Sequence, residues 1–183
     1  MPEGTFNELE SIKSEKEILW NKKRDDVNEI TDRLGKHIEE HIKEAVVAFQ
    51  IYGFSTSQSC EGHLVNKGIS LPWVEIYVQE PNNWRKSIGG EREKLEEHWK
   101  NENLIQRQKM ADLLTEFYQT VEAVSDTKLV FRDIGIFGGF RIQNSGAENI
   151  KSLSKEERQE RLNFYRQEMD SFVDFLKKKF FKQ

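Results

Sequence analysis

The stretch from Ser154 to the C-terminus restricts the fold of this chain more than any other. Ser154 and Glu157 form an S-x-x-E capping box, in which each side chain can satisfy a backbone N–H orphaned at a helix start. Leu162, Tyr165, Met169, Phe172, Val173, Leu176 and Phe180 then recur at helical spacing, making one face of a long helix apolar. A stripe of that length has to be buried against other elements. Four further runs offer the surface it needs. Residues 73–78 are β-branched and aromatic, and residues 54–60 read as a strand running into a loop. Residues 128–132 and 140–143 read as two more strands, joined through the glycines at 135, 138 and 139.

Other helices are expected upstream. Residues 7–20 carry a narrow stripe of Leu9, Ile12, Leu19 and Trp20, which predicts an exposed N-terminal helix within residues 1–29. Ile30, Leu34, Ile38, Ile42, Ala45, Val46 and Phe49 share one helical face, and Gly53 fits its stop. Met110, Leu113, Leu114, Phe117, Val121 and Val124 predict another helix, preceded by a charged stretch, 84–107, that reads as a helical insertion. Strands and helices in separate groups imply an α+β fold. The expectation is a single domain over 30–183, with a mostly antiparallel sheet of about four strands packed against long amphipathic helices.

Composition limits the function classes. The net charge of −4 and pI of 5.7 disfavour a general nucleic-acid binder, which would show a pI above about 9 or a basic stripe. One cysteine allows no internal disulfide, which favours a reducing, cytoplasmic setting. The first residues lack the pattern of a signal peptide, and no run approaches the ~20 apolar residues that span a bilayer. No membrane partner is expected.

Reactive side chains are concentrated in Ser55-Thr56-Ser57-Gln58-Ser59-Cys60-Glu61-Gly62-His63. A thiolate and an imidazole two residues apart can reach one zinc ion, but a structural site needs four ligands and no second cysteine exists. His37, His41 and His98 would have to complete it, so no metal site is assigned. As a nucleophile Cys60 would need a nearby cation such as a protonated His63. The reading that asks least of the residues is ligand binding, with hydroxyls, a glycine and backbone N–H groups suited to an anion or small polar molecule. His37-Ile38-Glu39-Glu40-His41 matches the H-x-x-E-H zinc-peptidase pattern, although Glu40 points away from the shared face.

The expected site is therefore a polar pocket built by the 55–63 loop and the 138–146 hairpin. Ser57, Ser59 and Gly62 would hold the ligand, with Ser145 from the hairpin, and Arg141 would pair its anionic part. Cys60, Glu61 and His63 would supply acid–base or metal chemistry. The competing expectation is a non-enzymatic protein that pairs with a partner, or as a homodimer, through its charged terminal helices.

Two of these segments resemble a known family. Thr56, Ser59, Cys60 and Gly62 match the Thr-Thr-Ser-Ser-Cys-Ser-Gly-Arg segment of the wybutosine-synthesising tRNA methyltransferases, the third enzyme of that pathway, with His63 at the place of the arginine. Residues 139–146, Gly-Phe-Arg-Ile-Gln-Asn-Ser-Gly, are similar to that family's Gly-Phe-Arg-Asn-Ser-Gly segment with two residues inserted. The resemblance implies a domain that brings both motifs together around S-adenosylmethionine and a modified guanosine. The residues themselves assign no cofactor, and the SCEGH run also fits a separate family on a similar scaffold.

Overall fold

The C-terminal stripe forms as its sequence dictates. Glu157 N–H donates to Ser154 Oγ at 3.1 Å and Ser154 N–H donates to Glu157 Oε2 at 2.7 Å, closing the capping box. Helix α4 (Lys155–Lys182) follows, burying Leu162, Tyr165, Met169, Phe172, Val173 and Leu176. A computed structural model describes residues 4–66, 68–122, 126–146 and 153–182, with the backbone alone for 4–14. The predicted core position Val124 lies outside the described residues.

The chain is an α+β protein with a four-stranded antiparallel sheet. Helices α1 (Gly4–Asn28) and α2 (Glu40–Ile51) come first, then strands β1 (Thr56–Cys60), β2 (His63–Val65), β3 (Gly68–Ser70) and β4 (Trp73–Ile76). Helix α3 (Gly89–Tyr118), β5 (Leu129–Ile134), β6 (Gly139–Asn144) and α4 complete the order. The sheet runs β1-β4-β6-β5, while β2 and β3 pair as a separate hairpin. Val74 and Ile76 of β4 and Phe140 and Ile142 of β6 join Phe49, Phe117 and Phe172 from α2, α3 and α4 in one core. Strand alternation leaves Trp73, Glu75 and Arg141 on the opposite face.

The structure departs from the expected helices at three places. The apolar face assigned to 30–49 is not one helix: α1 stops at Asn28 and α2 begins at Glu40. Between them Asp32 Oδ1 accepts the N–H groups of Leu34 (2.8 Å) and Lys36 (2.9 Å), folding a turn at Gly35. Those two N–H groups hold the Asp32 carboxyl below the usual range. Leu34 is consequently 81% exposed despite its helical phase. Second, the N-terminal helix is not wholly exposed, since Trp20 and Val27 enter the core and Trp20 packs against Phe180 and Phe181. Trp20 of the expected stripe is thus used within the chain, whereas Leu19 stays 48% exposed. Third, the charged stretch and the helix expected after it are one element, because turns at 82–86 lead to Gly89, where α3 begins and runs unbroken to Tyr118. Trp99 stacks on Phe137, and Asn103 donates to the Phe137 carbonyl, so α3 clamps the β5–β6 turn. Among the described residues no helix is long and apolar enough to cross a membrane.

One buried acid gives the fold a pH signature. Glu168 of α4 is 9% exposed and accepts from the Tyr118 hydroxyl at 2.8 Å, which itself accepts from Leu129 N–H at 2.7 Å. Burial pushes its carboxyl above the usual carboxylate range, with Tyr118 and Lys128 only partly opposing the shift. The folded state then holds this proton more tightly than the unfolded state, so ionisation costs stability as pH rises through that window. Glu168→Gln keeps an acceptor for Tyr118 and removes the charge. Thermal unfolding should show a higher melting temperature near neutral pH, with the gain shrinking as the pH falls toward the ordinary carboxylate range.

Candidate functional site

The first turn of α2 and the turn after β1 exchange carboxylates. Glu39, the N-cap of α2, accepts Glu61 N–H on Oε2 at 2.7 Å, and Glu61 Oε2 accepts His41 N–H at 3.0 Å. Helix N-termini favour such carboxylates because their N–H groups lack intrahelical partners and the dipole is positive there. Arg166 of α4 closes the arrangement from the other side, donating to the Glu61 carbonyl (3.0 Å) and the Gly62 carbonyl (2.8 Å). Glu61 also lies 3.4 Å from the Arg166 guanidinium. Its carboxylate therefore positions α2 and α4, rather than pointing at the thiol or imidazole. Gly62 is equally structural: its φ is +78°, and an added Cβ would stand 2.8 Å from Pro72 N and Ser70 O.

With that turn fixed, three donor groups converge. His63 Nε2 lies 2.7 Å from Glu39 Oε1, and the ligand atoms of Glu39, Cys60 and His63 are all within 4.8 Å of one another. Cys60 is half-buried, and burial pushes its thiol above the usual range. Gly62 N–H, 3.4 Å from Sγ, works against the shift, while the charge of Glu39 adds to it. An upward shift runs against the depressed pKa by which nucleophilic thiols are activated. His63 is 46% exposed at its side chain and meets solvent.

Beside this cluster lies a cleft of about 840 Å³ between β1 and the segment that joins α1 to α2. Asp32, Arg33, Lys36, His37 and Glu39 line one wall, Thr56, Ser57, Gln58, Ser59 and Cys60 the other, and Val46 and Gln50 also line it. β1 is an edge strand, so its outward backbone N–H and C=O groups have no strand partner in the sheet.

The hairpin residues sit elsewhere. Arg141 Nε donates to Glu75 Oε2 at 3.1 Å, and its guanidinium lies 3.8 Å from the Trp73 ring centroid. Ser57 Oγ donates to the other oxygen of Glu75 at 2.9 Å. The two expected segments are thus linked through Glu75 on the strand between them, and Arg141 is already neutralised. Ser145, exposed just beyond β6, donates its N–H to the Lys128 carbonyl at 2.7 Å. No residue of 138–146 lines the cleft. At the far end of β6, Gly139 packs under Tyr77, where a Cβ would fall 2.0 Å from the ring. The H-x-x-E-H pattern does not share a helix face, because His37 precedes α2; Glu40 instead pairs with Lys43 at 2.8 Å. His98 is exposed on α3, away from this cleft.

Compared with protein-family models, curated proteins and solved structures, the chain has no match. Function has to be argued from the residues. Glu39, Glu75, Arg166, Arg33 and Lys36 are members that sequence reasoning missed. Glu75 had a visible signal, a carboxylate inside an apolar strand, where a charge stays buried only if paired. Glu39 had a weaker one, an acid beside Glu40 within the H-x-x-E-H run.

Proposed function

We propose that the chain is a cytoplasmic protein that binds a small polar or anionic molecule in the cleft between β1 and residues 30–39. A nucleotide or an adenosyl compound such as S-adenosylmethionine is the class it takes. The cleft carries this reading: its 840 Å³ falls within the roughly 300–1,000 Å³ of small-molecule sites. It combines an open strand edge with hydroxyl and amide side chains along β1. Arg33 makes no ion pair or hydrogen bond among the described residues, and with Lys36 it supplies positive charge for a phosphate or carboxylate. These two cations take the role first expected of Arg141, whose charge is spent on Glu75. Thr56, Ser59 and Cys60, which carry the methyltransferase resemblance, line the same wall. Glu61 and Gly62 serve the site by holding its turn.

Calorimetric titration with adenosine nucleotides and with S-adenosylmethionine tests the reading. At least one compound should bind with one-to-one stoichiometry. Removing both cations, Arg33→Ala with Lys36→Ala, should weaken an anionic ligand about tenfold or more, the equivalent of ~1.4 kcal/mol. Ser145→Ala, on the hairpin, should leave it unchanged. Binding that ignores the two cations and disappears with Ser145→Ala would return the site to the hairpin.

A further inference from the structure

The chain has one cysteine and four histidines, yet a thiol, an imidazole and a carboxylate from separate segments meet at one point beside the cleft. We infer that Glu39, Cys60 and His63 form a divalent transition-metal site suited to zinc. This inference goes beyond the cleft reading, because the metal needs no organic ligand to bind.

The donor set comes first. Sulfur, nitrogen and oxygen together suit zinc, whereas magnesium and calcium take oxygen alone. Bonds of about 2.0–2.3 Å in a tetrahedron require ligand atoms about 3.3–3.7 Å apart. All three pairs already lie within 4.8 Å, and the His63–Glu39 pair, at 2.7 Å, has only to open by less than an ångström, roughly, to admit the ion. Charge balances as well. A thiolate, a carboxylate and a neutral imidazole cancel a doubly charged cation, and the cation replaces the repulsion between Glu39 and a thiolate with a shared attraction.

The surrounding backbone is already placed for the task. Glu61 N–H holds Glu39 Oε2 and leaves Oε1 for the metal, and Gly62 N–H points to Cys60 Sγ. Such outer contacts orient ligands and raise affinity. Both N–H groups belong to the turn that Arg166 and Gly62 fix, so the ligand positions are set by the fold before any metal arrives. Glu39 and Cys60 line the cleft, which leaves the fourth coordination position to water or to an oxygen of the cleft ligand. A three-ligand site with one open position is the arrangement of reactive zinc centres rather than structural ones. On capture the Cys60 S–H bond breaks, an S–metal bond forms and the proton passes to buffer. In the metal-free chain the 2.7 Å contact places the His63 proton on Nε2, facing Glu39. On capture that proton leaves Nε2 through solvent and Nδ1 takes one up, so that the neutral ring presents its Nε2 lone pair to the metal.

The test uses the full-length, metal-free chain with zinc alone and cobalt alone. Zinc should bind at one ion per chain in competition with a chromophoric chelator, and affinity should rise between about pH 6 and about pH 8 as the thiol proton is released more readily. Cobalt should give a thiolate-to-metal charge-transfer absorption that vanishes in Cys60→Ser. Glu39→Gln, Cys60→Ser and His63→Asn should each weaken zinc at least tenfold. His63 is exposed, so its variant keeps the fold and isolates the loss of a ligand. Absence of stoichiometric binding, a cobalt spectrum without the thiolate band, or full affinity in His63→Asn would each overturn the site. Nucleotide titration of the metal-free chain reads the cleft separately, so the two readings can fail independently.

Discussion

Gly62→Ala should lower the melting temperature by about 10 °C, the shift that ~4 kcal/mol produces in a chain of this size. Two costs add. A side chain at φ +78° occupies the left-handed region, which costs about 1–3 kcal/mol. The new methyl would also stand 2.8 Å from Pro72 N and Ser70 O and 2.9 Å from Leu162 Cδ1, and forcing such overlaps into packed structure costs about 1–3 kcal/mol more. Two of those three atoms are backbone, so no rotamer change relieves them. The same turn carries the Glu61 and Gly62 N–H groups that face Glu39 and Cys60, and metal affinity should fall with stability. Scanning calorimetry measures the first effect. A drop below about 2 °C would mean that the turn is not held between β3 and α4 as described.

Phe172→Ala should have an effect of comparable size without touching the cleft. Phe172 is fully buried, with ring centroids 6.0 Å from Phe49 and 5.3 Å from Phe117. It is therefore the point at which α2, α3 and α4 meet. Truncation removes the transfer energy of the ring and leaves a cavity that three helices cannot collapse together, about 3–5 kcal/mol in total. Urea unfolding should show the midpoint falling with little change in slope. Phe164 on the same helix is 51% exposed, and Phe164→Ala should stay within about 0.5 kcal/mol of the parent. Equal losses at the two positions would contradict the assigned helix face.

The elements legible in the sequence are those whose signals are local. The α4 capping box and stripe, the four strands of the main sheet and the β5–β6 turn are set by residues near one another in sequence, and they fold as their patterns indicate. The errors arise where a local side chain competes with periodicity. Ile30, Leu34 and Ile38 fall in phase with α2, yet the Asp32 side chain satisfies two backbone N–H groups in a turn and ends any continuous helix. The β2–β3 hairpin escaped notice because three-residue strands leave too few alternations to read.

The candidate site was legible only in part. Cys60 and His63 stand out by residue type. Their third partner, Glu39, is 24 positions from His63, and only the docking of α2 onto the 60–62 turn brings it in. The pairing of Arg141 was not legible, because its partner Glu75 is 66 residues away and meets it only across the β4–β6 register. A free cation and a neutralised one look identical in sequence. Glu61, in turn, shows that a carboxylate beside a thiol need not serve it, since helix α2 and Arg166 claim both of its oxygens.

The most direct test of the cleft is an amide proton–nitrogen correlation titration of the isotope-labelled chain with the tightest-binding adenosine compound. Perturbations should concentrate at residues 31–39 and 56–60, the two walls of the cleft. Perturbations confined to residues 138–146, with both walls unchanged, would contradict the assignment.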